Sequence, residues 1–188
     1  MVTLRPPTPS DRDTLREWRN RPEVSHFLIH NAPIGEEEHA EWFSGLGRDP
    51  SRRAWVIERS GRGVGFASFA GLSQAHGRCS LGMYLADPGA RTQGVGAFAE
   101  YGLLQYAFET LGLNKVCCEV LAFNERVLTL HERLGFAREG RLREHVRRED
   151  GTFDLVLFAL LRRDWPDVRA RFGPTLGRKV SVLPPLYS

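Results

Sequence analysis

The hexapeptide RTQGVG, residues 91–96, lies between the strand-like run RCSLGMYLAD, residues 78–87, and a long segment with apolar side chains at helical spacing, residues 95–111. Gly94 and Gly96 leave main-chain N–H groups uncovered where that helix begins. The first N–H groups of a helix have no partner inside it, and the helix dipole adds partial positive charge there. The hexapeptide is therefore suited to binding a phosphate or pyrophosphate, and its arginine adds a cation.

Two other phosphate-binding loops do not fit this hexapeptide. A Walker loop requires Gly-Lys-Ser/Thr, which is absent. The dinucleotide fingerprint requires a third glycine two residues further on and an early strand–helix unit. On the hexapeptide alone, a plain strand–helix turn that uses glycine only for its geometry is an equally good interpretation.

The composition limits the classes of function. The chain has 188 residues, of which 41% are hydrophobic and 26% charged, and a net charge of +3 that is compatible with an anionic small-molecule ligand. No run approaches the roughly 20 apolar residues of a membrane helix, and no secretory leader is visible. No Lys/Arg run interleaves with aromatics, so we expect neither a nucleic-acid nor a membrane partner. The three cysteines show no metal spacing, and we expect no metal and a cytoplasmic location.

The predicted elements follow the order strand, two helices, three strands, helix, strand, helix, two strands and helix. This mixed order indicates one α/β domain, which we assign to residues 1–171. Residues 172–188, FGPTLGRKVSVLPPLYS, contain Pro and Gly and few periodic signals. An irregular, loosely attached C-terminal tail is expected there.

Two segments together resemble the hallmarks of the GNAT superfamily of N-acetyltransferases. The first is Arg-x-x-Gly-x-Gly after a strand ending in MYL. The second is CEVLAFNERVLTLHERLGF, residues 118–136, in which a strand, Asn124 and a helix precede Gly135 and Phe136. The resemblance implies the GNAT acyl-CoA N-acyltransferase fold, an α/β fold whose mixed central sheet is splayed at the acetyl-CoA site and flanked by helices.

The resemblance also implies acetyl-CoA as cosubstrate and a set of residues that bind it. The strand before the loop would pair with the pantetheine arm, the loop amides would hold the pyrophosphate, and Asn124 would hydrogen-bond the arm. The implied cofactor-binding residues are Met83, Tyr84, Leu85, Arg91, Gln93, Gly94, Val95, Gly96, Ala97, Asn124 and His131.

Direct attack of an amine on the thioester needs a base, an oxyanion donor and an acid for the leaving thiolate. By resemblance, Glu119 is the candidate base through a water molecule; the alternative is a glutamate that only faces solvent. His131 stands where the family usually has a tyrosine acid, and it either keeps that role or only packs against its surroundings. Tyr84 is a further candidate acid or a substrate contact, and a backbone N–H near Tyr84 or Leu85 is the candidate oxyanion donor.

The segments at residues 15–24, 36–43 and 111–146 resemble the PseH-type acetyltransferases of pseudaminic acid biosynthesis. Those enzymes acetylate the 4-amino group of UDP-4-amino-4,6-dideoxy-N-acetyl-β-L-altrosamine, whose product modifies flagellin or surface polysaccharide. The resemblance implies a sugar-nucleotide substrate bound by Arg19, His39 and Tyr84. For Arg19 the alternative is a surface salt bridge with a nearby glutamate.

Other acceptors remain open at this point. Protein N-terminal acetyltransferases of the ribosomal-protein type have a similar first helix and a similar strand after Gly-Phe. Aminoglycosides and other amines are further alternatives, and a non-catalytic acetyl-CoA-binding module is an alternative of another class. Arg and His in the N-terminal half favour an anionic acceptor. We expect a monomer or a homodimer.

Overall fold

The computed structural model describes residues 1–184. The strands are β1 Val2–Arg5, β2 Arg53–Arg59, β3 Arg62–Ser73, β4 Arg78–Leu85, β5 Lys115–Leu121, β6 Ala137–Arg148, β7 Gly151–Leu161 and β8 Val180–Val182. The helices are α1 Arg12–Asn20, α2 Pro22–Ser25, α3 Glu36–Gly45, α4 Pro88–Thr92, α5 Val95–Gln105, α6 Glu125–Arg133 and α7 Trp165–Phe172. In this part of the chain the strands form one sheet in the order β6-β7-β5-β4-β3-β2-β1-β8. Two of its strand pairs, β4–β5 and β1–β8, are parallel, so the predicted mixed α/β architecture is confirmed.

The sheet packs helices against both faces, because successive side chains of a strand alternate between the faces. In β2, Trp55 and Ile57 belong to the larger core, which includes side chains of α5, α6 and α7. Ala54 and Val56 belong to a smaller core with α1, α2 and α3. The N-terminal helices therefore lie on the opposite face from the helix that follows the glycine-rich segment.

The parallel strands β4 and β5 separate along their length. They pair at Arg78–Lys115, Cys79–Val116 and Ser80–Cys117, and the pairing stops there. On one side β4 continues to Leu85 beside β3, and on the other β5 continues to Leu121 beside β7. The predicted splay of the central sheet is therefore confirmed, and the edges that face the gap have no strand partner.

The expectation of an irregular tail over residues 172–188 is wrong for Val180–Val182, which form the parallel edge strand β8 beside β1. The indole N–H of Trp55 donates to Leu183 O at 2.9 Å. A Cβ built on Gly102 of α5 would lie 2.7 Å from Val180 Cγ2, so this glycine lets the strand approach the helix. Val180 and Val182 are half-buried against the larger core, although a three-residue stretch is too short to show a period. Residues 185–188 lie outside the described residues.

Candidate active site

Within residues 1–184, four main-chain N–H groups at the start of α5 have no hydrogen-bond partner. Gly94 joins α4 to α5 with a φ of 74°, in the left-handed region that glycine adopts without strain. The N–H of Phe98 donates to Gly94 O at 3.2 Å, and the N–H of Gln93 donates to Ala90 O at 3.4 Å. In the described part of the chain, the N–H groups of residues 94–97, which lie between these two, donate no hydrogen bond. Four of the five amides expected to hold a pyrophosphate are thus available, and the one at Gln93 is not.

The hexapeptide 91–96 is less of a loop than the sequence suggested, because Arg91 lies in the one-turn helix α4. Asp87 caps this helix by accepting from the N–H of Gly89 at 2.7 Å. Arg91 Nε donates to Leu85 O at 2.9 Å, which fixes the short helix to the end of β4. The cation therefore lies beside the unpaired amides in a defined position.

Side chains from β4 and α6 meet at the first turn of α5. A Cβ built on Gly96 would lie 3.5 Å from Met83 Cε, 3.8 Å from Leu85 Cδ1 and 3.9 Å from Leu130 Cδ2. The fold thus brings the amides, the end of β4 and α6 together, as the cofactor prediction requires. The bare amides suit a pyrophosphate such as that of acetyl-CoA, and the placing of its arm in the gap between β4 and β5 stays a prediction.

Asn124 precedes α6 just beyond the unpaired end of β5. Its N–H donates to Leu121 O at 2.9 Å, and its carbonyl accepts from the N–H groups of Val127 and Leu128 at 3.0 and 3.1 Å. The backbone is therefore held in place. Its side-chain amide makes no hydrogen bond within residues 1–184, which leaves it available to a ligand arm.

His131 is buried, with 5% of its surface exposed, and contacts a carboxylate that the sequence analysis missed. His131 Nδ1 lies 2.5 Å from Glu100 Oε1, and Glu100 itself is fully buried. The imidazole packs against the rings of Phe136 and Phe158. A signal for Glu100 was present, since it is the one charged residue between positions 95 and 108 of an otherwise apolar helix. Burying a charge is costly without a partner, and His131 is that partner.

Glu119 is exposed on β5, two residues beyond the last residue of that strand that pairs with β4. It makes no hydrogen bond or ion pair within residues 1–184. The backbone of Glu119 pairs with Leu157 of β7, so the opposite edge of β5 faces the gap at this position. This position suits a base acting through water, and that role stays a prediction.

Tyr84 packs on the face of the sheet that α1–α3 cover, whereas Met83 and Leu85 pack on the opposite face. Its hydroxyl donates to Leu15 O of α1 over a long 3.5 Å, and its ring packs on Phe66. Burial raises the pKa of the Tyr84 phenol, so the hydroxyl stays protonated at neutral pH. A role as acid or as substrate contact stays a prediction.

Two arginines of α1 have buried nitrogens that find no hydrogen-bond partner in the part of the chain that the structure describes. Arg19 donates to the carbonyl of His30, but its Nη1 is buried and unpaired. Burial lowers the pKa of Arg19, against the opposite influence of nearby Tyr84 and Glu38. The suggested surface salt bridge does not form within residues 1–184. Arg16 Nε is likewise buried without a partner, and the sequence analysis missed this residue.

His39 is 3% exposed and serves to join helices. Its Nε2 lies 2.8 Å from Arg12 O of α1, and its ring packs on Trp42 and Phe43. Burial lowers the pKa of His39 below its usual 6.5, which favours the neutral ring that donates to this carbonyl. His39 Nδ1 makes no hydrogen bond within residues 1–184, and the substrate contact predicted for this residue stays a prediction.

Arg148 connects the segment after α2 to the β6–β7 hairpin. Its side chain is 2% exposed, and its Nη1 donates to His26 O and Leu28 O at 3.0 and 3.1 Å. The guanidinium lies 4.3 Å from the centre of the Phe153 ring. One buried side chain therefore joins residues about 120 positions apart in the sequence.

Within residues 1–184, no helix is both long and apolar enough to cross a membrane. The same residues contain no cluster of three or more His, Cys, Asp or Glu side chains arranged to hold a metal.

Several known proteins resemble this chain in sequence. A family model described as "Acetyltransferase (GNAT) domain" matches residues 1–137. The acetyltransferase PseH of Campylobacter jejuni is 28% identical over 120 residues, covering 64% of this chain and 73% of that protein. YdaF of Bacillus subtilis, whose ribosomal N-acetyltransferase activity is itself only proposed, is 33% identical over 101 residues, 54% of this chain and 55% of that protein.

A solved structure gives the same fold. Spermidine N-acetyltransferase of Vibrio cholerae, crystallised with CoA and spermine, superposes with a TM-score of 0.82 at 20% identity, covering 88% of this chain and 98% of that one. The family match extends over most of the chain and agrees with the bare amides and the splayed sheet. The chain therefore belongs to the GNAT acetyltransferase family and is an N-acetyltransferase that uses acetyl-CoA.

Proposed function

We propose that the acceptor is an anionic amine, specifically the 4-amino group of a UDP-linked amino-dideoxy sugar of pseudaminic acid biosynthesis, whose product modifies flagellin or a surface glycan. The observation that carries this proposal is the pair of arginines on α1. Arg16 Nε and Arg19 Nη1 are buried with no hydrogen-bond partner among residues 1–184, and a buried donor left unpaired is costly. Phosphate oxygens are the acceptors that guanidinium groups bind best.

The chain's own residues supply the chemistry around the thioester. Acetyl-CoA, when bound, supplies an activated acetyl group. Glu119 takes the proton of the attacking amine through a water molecule. Main-chain N–H groups on the unpaired edge of β4, near Tyr84 or Leu85, stabilise the charge that develops on the carbonyl oxygen. His131 protonates the departing thiolate, and no covalent enzyme intermediate is needed.

One feature favours a cationic acceptor instead. The first turn of α3 carries three consecutive exposed carboxylates, Glu36, Glu37 and Glu38. Such a run suits the basic N-terminus of a protein, as the ribosomal-protein type requires, or a polyamine. The arginines outweigh it in our proposal because the carboxylates are solvated, whereas the arginine nitrogens are buried and unpaired.

A comparison of turnover with different acceptors tests the proposal. UDP-4-amino-4,6-dideoxy sugars, basic N-terminal peptides and spermidine are each supplied with acetyl-CoA, and thiol release is followed. We expect kcat/KM to be highest for a UDP-amino sugar and to fall when the same amino sugar is supplied without UDP. Faster turnover of the peptide or of spermidine would overturn the anionic acceptor while leaving the acetyl transfer intact.

A further inference from the structure

We propose that Glu100 is a positioning residue which, together with His131, forms a buried dyad that delivers a proton to the departing thiolate. The inference rests on the direct-attack chemistry proposed above and on no particular acceptor, so any amine that turns over can be used to test it.

Glu100 is buried, and only one of its two carboxylate oxygens has a partner within residues 1–184. Its side chain is 1% exposed, Oε1 lies 2.5 Å from His131 Nδ1, and Oε2 has no partner within residues 1–184. A buried carboxylate with one orphaned oxygen is stable only if the other oxygen has a strong donor. His131 Nδ1 is the donor that the structure provides, so the proton on this nitrogen is held by Glu100.

The other ring nitrogen of His131, Nε2, is the one that can reach a ligand. Nε2 makes no hydrogen bond within residues 1–184, yet it is not among the fully buried unsatisfied atoms, so it keeps some accessible surface. Phe136 and Phe158, with ring centres 4.9 and 5.4 Å away, restrict the orientation of the ring. With Nδ1 committed to Glu100, Nε2 is the nitrogen that can exchange a proton with a ligand.

The dyad lies close to the start of α5 and the end of β4. Glu100 lies about one turn beyond Gly96 on α5, and His131 follows Leu130 on α6. A Cβ built on Gly96 would lie 3.5 Å from Met83 Cε of β4 and 3.9 Å from Leu130 Cδ2. The dyad therefore lies one turn from the place where α5, α6 and the end of β4 meet.

The proton transfer balances without any further reactant. As the amine nitrogen bonds to the acetyl carbon, the C–S bond breaks and its electron pair remains on sulfur. His131 Nε2 gives its proton to that sulfur, and the neutral ring keeps the Nδ1 proton shared with Glu100. The proton lost by the amine passes through Glu119 and water to solvent, and solvent returns one to Nε2.

Nuclear magnetic resonance of the ligand-free wild-type protein, with Glu100→Gln for comparison, tests the dyad without any measurement of turnover. Histidine nitrogen shifts assigned to His131 should show a protonated Nδ1, and Glu100→Gln should move protonation towards Nε2. A wild-type ring protonated on Nε2 alone would overturn the proposal, whatever the acceptor proves to be. The result is independent of turnover, so it separates failure of this inference from failure of the proposed function.

Kinetics test the role in the reaction. We expect Glu100→Gln to lower kcat about 10- to 100-fold, with the KM for acetyl-CoA within about twofold of wild type. In a His131→Ala background the same change should cost nothing further, because Glu100 acts only through His131. Glu109→Gln, which changes a carboxylate bonded to Trp165 next to the same helix, is the matched control and should keep kcat. Full additivity of the Glu100 and His131 changes would contradict the dyad.

Discussion

The two sides of the opening in the sheet differ in their candidate binding groups, which are main-chain amides on one side and side chains on the other. The proposed cofactor half comprises the start of α5, the ends of β4 and β5 where they no longer pair with each other, and Asn124 with α6, and its candidate binding groups are largely main-chain amides. The proposed acceptor half comprises α1–α3 and the β6–β7 hairpin, and its candidate binding groups are side chains such as Arg19. A site made of main chain depends on where a helix begins, which is local in sequence. A site made of side chains depends on contacts between distant residues, such as Arg148 with His26.

The largest expected effect is on the cofactor half, from Gly94→Glu. The new carboxylate would meet the phosphates at the bare amides, on a backbone with a φ of 74° that disfavours any side chain. We expect acetyl-CoA affinity to fall by more than about 100-fold, measured by calorimetry. Gly71→Glu is the control, since Gly71 has a φ of 58° and open space around it in β3. Unchanged affinity in Gly94→Glu would remove the main-chain site.

Glu119→Gln acts at the boundary between the halves and should have the next largest effect. We expect kcat/KM to fall about 100-fold at low pH and much less at high pH, where the acceptor amine is already neutral. The measurement is a pH–rate profile with one acceptor. Glu139→Gln, which changes an exposed carboxylate that pairs with Lys115, should leave the profile unaltered. A loss that is constant across pH would argue against a base.

Arg19→Ala tests the acceptor half. Losing a charge-assisted contact to phosphate should raise the KM for a UDP-amino sugar about 10-fold and leave that for acetyl-CoA unchanged. Arg12→Ala, which removes an exposed arginine paired with Asp13, is the matched control. If only the KM for acetyl-CoA rises, Arg19 belongs to the cofactor half and the contrast between the halves fails.

The smallest effect concerns His39, whose burial lowers its pKa below 6.5. The folded state then binds fewer protons than the unfolded state, so the stabilisation is complete above pH 6.5 and is lost as the pH falls below it. His39→Gln keeps a neutral donor for Arg12 O and should lose less unfolding free energy between about pH 7.5 and 5.5 in urea titrations. His145→Gln, at an exposed position, should behave as wild type.

Kinetics of the same variant sharpen the contrast. An unchanged KM for the acceptor in His39→Gln would agree with the helix-joining role that the structure gives this residue. A raised KM with unchanged pH dependence of stability would support the substrate contact that the sequence analysis expected.

The cofactor half was largely predictable because its signals are short. Gly94 and Asn124 stand at a helix start and a strand end, and both positions follow from local pattern. Even there, the N–H of Gln93 proved to be used within the chain, since α4 turns sooner than the pattern indicated. In the acceptor half, His39 was interpreted as a ligand contact because a histidine on a helix does not reveal which carbonyl it will meet.

The sequence by itself determined the family, the order of the elements and the use of acetyl-CoA, and it predicted where the diphosphate binds, because glycine spacing and helix starts are local properties of the chain. Only the tertiary structure decided that Glu100 meets His131, 31 residues away, that Arg16 and Arg19 retain unpaired nitrogens, and that Val180–Val182 complete the sheet. Those features depend on which side chains become neighbours when two faces of a sheet are covered, and burial changes the chemistry of a charged group only once its neighbours are in place.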